Sequence, residues 1–158
     1  MAITRANPTD VDEVRAFLAG VDLTVAGIES PSVTLWIDRD ENGRIVGSTG
    51  YELSAGGDHA LIRSVAVVAT ERASGAGTRL ASFAITHAQR AGATRAWLFS
   101  RRSGPFWRKL GFEHVDRREL AAALSDAHQV RLFTDSGQLE REQAWSMRLE
   151  AGKTLGVR

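Results

Sequence analysis

Between Val67 and Leu80 the chain reads VVATERASGAGTRL. An apolar run precedes this stretch, two glycines stand one residue apart inside it, and a helical pattern follows. Such a junction places a row of backbone N–H groups at a helix start, without side chains to block approach. The helix dipole there favours an anion, and a pyrophosphate fits. Two familiar phosphate patterns do not match. A G-x-G-x-x-G fingerprint starting at Gly75 would need glycine where Leu80 stands, and no G-x-x-x-x-G-K-[ST] loop occurs. What remains is R-x-x-G-x-G over Arg72–Gly77, with hydroxyls at Ser74 and Thr78. Read without context, Gly75 and Gly77 make only a tight turn and close helix packing.

Working outward, HALIRSVAVV reads as a β-branched strand apolar on both faces after Ser64, hence central in its sheet. Simple alternation puts Arg63 on one face with Leu61 and Val65. SVTLWIDRD and GRIVGSTGYEL flank Asn42-Gly43 and read as a hairpin. Downstream of the glycines, Leu80, Ala81, Ala84, Ile85 and Ala88 form one apolar helix face. TRAWLFS is a further strand, SGPFWRKLG a short helix, FEHVDR a strand and AWSMRLE a final strand. At the N-terminus AITR suits a first strand, with a helix after Pro8 capped by Thr9 or Asp10. VDLTVAGIESPS has no clean period and suits a loop or a broken helix lining a pocket. ELAAALSDA looks helical, and the rest of the 118–141 stretch is polar. Strand–helix–strand portions need parallel pairing and the hairpin antiparallel pairing. The expected fold class is therefore α/β (α+β): a mixed sheet with helices packed on it. One domain over 1–150 and a tail at 151–158 are expected.

The 158 residues suffice for one core. A net charge of +1 leaves no global field for nucleic acid or acidic membranes. The absence of cysteine excludes thiol nucleophiles and thiolate metal sites. The polar N-terminus has no apolar h-region, and no run approaches a membrane span, so a cytoplasmic protein is expected. The histidine spacing suggests no metal site.

Two linked blocks, SVAVVATERASGAG and WLFSRRSGPFWRKLGFEHV, resemble the GNAT superfamily of acetyl-CoA-dependent N-acetyltransferases. The resemblance covers residues 3–117. It implies a mostly antiparallel twisted sheet with a splayed central parallel pair, the thioester entering the gap. It implies acetyl-CoA as cosubstrate, its pyrophosphate on Arg72, Ala73, Ser74, Gly75, Ala76, Gly77 and Thr78, and its pantetheine arm along Val65, Ala66 and Val67. Ser103, Phe106, Trp107 and Lys109 are the remaining cofactor-side candidates. Where many relatives carry a proline after the strand, this chain has Ala69, and where they carry an acidic tyrosine it has Trp107, whose indole is a donor but no acid. The only tyrosine is Tyr51. A hydroxyl such as Ser103, or water, is left to protonate the thiolate, unless a leaving group of pKa ~8.5 needs no acid.

An ammonium acceptor needs a group to take its proton. Glu52, at the end of the hairpin, is the candidate base, with His59 behind it. His87, His114 and His128 read as helix, strand and loop residues without a role. Arg63, a charge inside an apolar strand, is the candidate for a substrate carboxylate; an ion pair with Glu52 is its structural alternative. Arg101, Arg102 and Arg108 are further basic positions. The run ALIRSVAV and the LAAAL-type segment are similar to a narrower bacterial branch associated with arsenic-resistance clusters and amino-acid N-acetyltransferases. That similarity implies a small amino-acid-like amine as acceptor. A protein or peptide acetylase and a non-catalytic acetyl-CoA-binding domain stay open, as does a homodimer through the polar segment 126–143.

Overall fold

The computed structural model describes residues 3–150. Its elements follow in the order β1 (Ile3–Arg5), α1 (Val11–Gly20), β2 (Val33–Arg39), β3 (Ile45–Leu53), β4 (His59–Val67), α2 (Ala76–Arg90), β5 (Arg95–Phe99), α3 (Gly104–Lys109), β6 (Glu113–Val115), α4 (Arg117–Ala123), α5 (His128–Ser136) and β7 (Ala144–Arg148). Single 3-10 turns precede α1 and α2 and follow α5. The expected tail at 151–158 lies outside the described residues, as does Ala2 of the first strand.

Seven strands form one sheet in the order β1-β2-β3-β4-β5-β7-β6. All pairings are antiparallel except β4 with β5. This is a single α/β domain, with β4 at the centre as its two-sided apolar character requires. The last strand, β7, inserts between β5 and β6.

Helix α2 covers one face with the anticipated stripe: Leu80, Ala81, Ala84, Ile85 and Ala88 are all fully buried. Its alanines let the helix lie close to the sheet, where Ala60, Ile62, Ala96 and Leu98 meet it. Trp107 and Phe112, flanking the end of α3, join this face. On the opposite face α1 seats Val14 and Leu18 on Val33, Leu35 and Ile37. There α4 and α5 cover Leu61 and Trp97 with Leu120, Leu124 and Val130. Each fully buried leucine or isoleucine stabilises the fold by about 1.5–3 kcal/mol.

Two local readings are corrected. The side-chain cap is Asn7, at the start of the 3-10 turn: it accepts from Thr9 N, and Asp10 accepts in return from Asn7 N, while Asp10 stands at the N-cap position of α1 without a capping bond there. The reciprocal pair forms a capping box around the 3-10 turn. The second correction concerns β4. Ser48 faces Ala66 but Gly50 faces Arg63, so two residues of β4 oppose Thr49. The extra residue makes a β-bulge, and Ser64 adopts a left-handed φ of 61° within it. The bulge breaks alternation. Val65 therefore packs on the α2 face, while Arg63 stays opposite with Leu61. Buried Ser48 holds the distortion by donating from Oγ to Ser64 O at 2.6 Å.

Candidate active site

β4 and β5 pair over only three positions, His59↔Arg95 to Leu61↔Trp97. Beyond them the strands part, and a cleft of about 970 Å³ opens. Ile62–Val67 of β4 line one wall and Leu98–Ser103 the other. The edge of β4 that faces the gap has no strand partner past Leu61 among the described residues. Along Val65–Val67 the backbone groups that turn away from β3 are thus open to whatever enters, apart from Val67 O, which accepts from Arg72 Nε.

One end of the cleft is the glycine turn. A 3-10 turn over Ala69–Ser74 leads to Gly75 at φ 84°, and α2 begins at Ala76. Only glycine adopts that φ without strain, and a Cβ there would point into open space. With no side chain at Gly75, nothing caps the first N–H groups of α2. They face outward with the positive end of the helix dipole. Arg72 and Gly77 line the cleft, and Arg72 Nε donates to Val67 O at 3.2 Å. Ser74 does not add a free donor, because its hydroxyl bonds Glu71 O at 2.6 Å. Thr78 is exposed on the first turn of α2.

Ser103, Phe106 and Trp107 also line the cleft. Phe106 and Trp107 meet edge to face at 4.9 Å, and Trp107 is wedged against Phe112. Lys109 departs from expectation: it is exposed on α3 and is not a lining residue, because the helix turns it away from the gap. Tyr51 is buried in the α2-side core and also lies off the cleft.

At the other end the cleft is walled twice. The loop after α1 contributes Val21–Val25, which answers the unpatterned VDLTVAGIESPS stretch. Facing it are Gln129, Leu132 and Phe133 of α5, with Gln138 and Glu142 beyond. The polar segment 126–143 is therefore a cleft wall.

Arg63 and Glu52 meet as the ion pair considered from sequence, at 3.4 Å, with side chains 0% and 1% exposed. The Arg63 guanidinium also donates to Thr24 O at 3.4 Å and Ser64 Oγ at 3.3 Å. Burial pushes its pKa below the usual arginine value, and the Glu52 charge opposes that. Glu52 is not at the gap where the sequence reading placed it. It lies beneath, with Oε2 accepting from His128 N at 2.9 Å, His128 Nδ1 at 2.6 Å and Ser32 Oγ at 3.3 Å. The pair ties β3, β4, the Thr24 loop and the start of α5 together. Gly27 completes the knot: it has φ 69°, and a Cβ there would collide with the His128 ring.

His128, which its sequence neighbours make a loop residue without a role, anchors α5 through Glu52, 76 residues away. No local motif in the sequence marks Glu142 or Gln129. His59 accepts from Trp97 Nε1 at 3.0 Å and is not a lining residue.

A family model described as "Acetyltransferase (GNAT) family" matches residues 7–112, more than half of the chain. No curated protein sequence matches it. Among solved structures, an acetyltransferase of the GNAT family from Staphylococcus aureus Mu50 is similar at TM-score 0.74 and 13% identity, covering 94% of this chain and 99% of that one. Rv2747 from Mycobacterium tuberculosis, in complex with CoA, gives 0.73 and 16%, covering 95% and 100%. The N-acetylglutamate synthase of Neisseria gonorrhoeae, with coenzyme A and N-acetyl-glutamate, gives 0.72 and 18%, covering 94% and 35%. The chain thus spans about a third of that protein's length. At these identities the likeness is one of fold. The family match carries the assignment: the chain belongs to the acetyltransferase (GNAT) family.

Proposed function

We propose that the protein transfers the acetyl group of acetyl-CoA directly to the primary amine of a small, amino-acid-like molecule. The observation that carries this reading is a cleft with two unlike ends. One end has uncapped helix N–H groups and open space at Gly75; the other is walled by Val21–Val25 and by α5. A wall on both sides suits a small acceptor better than a polypeptide.

The residues present fit coenzyme A. N–H groups at the start of α2 hold the diphosphate, with Arg72 at its flank. The open edge of Val65–Val67 pairs with the pantetheine amides, as an added strand would. Phe106 and Trp107 exclude water beside the arm. When bound, acetyl-CoA supplies an activated carbonyl on a thiolate leaving group, whose pKa is ~8.5 by analogy with cysteine. With Trp107 in the cleft, the hydroxyls that line it nearby, Ser100 and Ser103, are the proton donors at hand.

Arg63 acts one step back from the acceptor. Its charge is met by Glu52, and it holds the Thr24 loop against β4. Arg102 is exposed, lines the cleft and has no ion-pair partner among the described residues, so it is the cation free to meet an acceptor carboxylate.

Calorimetry of acetyl-CoA binding, wild type against Gly77→Glu, is the test. A Cβ at Gly77 meets Phe106 at 3.7 Å, an ordinary contact, and the added charge opposes the diphosphate; circular dichroism checks that the variant is folded. Loss of binding in a folded variant is expected. Amines are then screened by thiol release: amino acids, the matching amines without a carboxylate, and lysine and N-terminal peptides. No binding by wild type would remove the acetyltransferase reading. Turnover of peptides alone would remove the small acceptor, and binding without any turnover would leave a non-catalytic domain.

A further inference from the structure

We propose that Glu142 receives the acceptor's ammonium group and takes its proton. The proposal rests on the acetyltransferase reading and names the base within it.

Glu142 follows the 3-10 turn Gln138–Arg141 and stands two residues before β7. Its neighbour Gln143 accepts from Ser100 N at 2.9 Å, and Ala144 pairs with Phe99. This pairing fixes Glu142 at the mouth of the split, beside the end of β5. The residue is 4% exposed, yet it lines the cleft. Both of its side-chain contacts fall on Oε2: Gln138 Nε2 at 2.8 Å and Arg101 Nε at 3.3 Å. Among the described residues Oε1 has no partner. Gln129 Oε1, on the wall formed by α5, is buried and also has no hydrogen-bond partner among the described residues.

Glu142 Oε1, the oxygen that Gln138 and Arg101 leave free, suits an N–H donor arriving in the cleft. Gln129 Oε1 is a buried acceptor without a donor, a state that costs about 1–3 kcal/mol. Arg101, on the exposed side, meets one oxygen of Glu142, and Arg102 stands beside it. Arg117 of α4 reaches only the Glu142 backbone carbonyl, and its guanidinium pairs with Glu140. The other carboxylate lining the cleft, Asp22, is exposed on the loop after α1. Glu52 is already engaged by Arg63, Ser32 and His128.

The acceptor R–NH3⁺ gives one proton to Glu142 Oε1, and the freed lone pair attacks the thioester carbonyl. The C–N bond forms as the C–S bond breaks. A second nitrogen proton reaches the departing sulfur by way of the Ser100 or Ser103 hydroxyl, and Glu142 releases its own proton to solvent. One acetamide, one thiol and one proton result.

The test measures kcat/KM by thiol release from about pH 6 to about pH 8 for amino acids and the matching simple amines. Glu142→Gln, Glu142→Asp and Asp22→Asn are compared with wild type. Calorimetry follows acetyl-CoA binding and amine binding to the CoA complex. Wild type should be nearly flat in pH, because the carboxylate lets the ammonium form react. Glu142→Gln should fall by roughly 10²–10³-fold at neutral pH and rise about tenfold per pH unit, since only free amine then reacts. Its amine affinity should drop while acetyl-CoA binding is unchanged. Glu142→Asp should be slower but keep the flat profile, which a purely structural role would not predict. Glu142→Gln within about threefold of wild type with the same profile overturns the proposal. So does transfer of the whole effect to Asp22→Asn. Wild type binding acetyl-CoA but acetylating no amine overturns the transferase reading itself, and this role with it.

Discussion

The Glu52–Arg63 pair offers the sharpest stability prediction. Replacing Glu52 with Gln keeps the size and one acceptor oxygen but removes the charge. Arg63 is then a cation with a fully buried side chain, left with one backbone carbonyl, one hydroxyl and a neutral amide. Breaking one side of a buried pair costs about 3–5 kcal/mol. The amide that remains offsets part of this, so about 2–4 kcal/mol is expected. For a domain of this length, each 1 kcal/mol shifts Tm by about 2–4 °C, giving a fall of roughly 4–16 °C. Arg63→Met alone strands the carboxylate, although His128 and Ser32 still donate to it. The double variant leaves neither charge buried and should recover about 2 kcal/mol relative to the sum of the singles. Urea unfolding of all four proteins closes the cycle. A single-variant cost under ~1 kcal/mol, or a coupling below ~0.5 kcal/mol, would refute the idea that this pair holds the cleft wall.

Three further outcomes are expected. Gly50→Ala should destabilise by at least about 1–3 kcal/mol in chemical denaturation, because its Cβ would lie 2.5 Å from the Thr34 backbone carbonyl, which cannot retreat within the β2–β3 ladder. Ser48→Ala should cost about 1–3 kcal/mol by leaving the Ser64 carbonyl of the bulge without its donor, seen as a lower urea midpoint. His87 has its pKa lowered from 6.5 by burial and then by Arg90, so the unfolded chain binds the proton more readily. Its contribution is therefore complete above pH 6.5 and is lost as pH falls from there through the lower folded value; His87→Gln should flatten that part of the urea-midpoint profile.

Features carried by short-range chemistry were legible before the structure. Asn42-Gly43 marked the hairpin, the Leu80–Ala88 stripe marked the face of α2, and the glycine pair marked the helix start at Ala76. The features that escaped depend on distant pairing. Glu142 matters only because β7 returns between β5 and β6, which brings a polar, unpatterned segment to the end of β5. His128 acquires its role from a carboxylate on another strand. The bulge at Ser64 escaped because nothing in SVAVV departs from strand composition, and it reversed the face assigned to Val65. Periodicity reports which way a side chain points only while the ladder stays in register.

The three-residue junction between β4 and β5 has a mechanical consequence. The sheet is two leaves, β1 to β4 and β5 to β6, joined by one short seam and by the core under α2 that spans it. Each leaf has its own ladder, so each can open to solvent on its own schedule. Amides on the inner lip of β4 should exchange with deuterium early, whereas those facing β3 should lag. An occupant hydrogen-bonded along that lip would act as a splint, coupling the leaves and bringing the two clocks together.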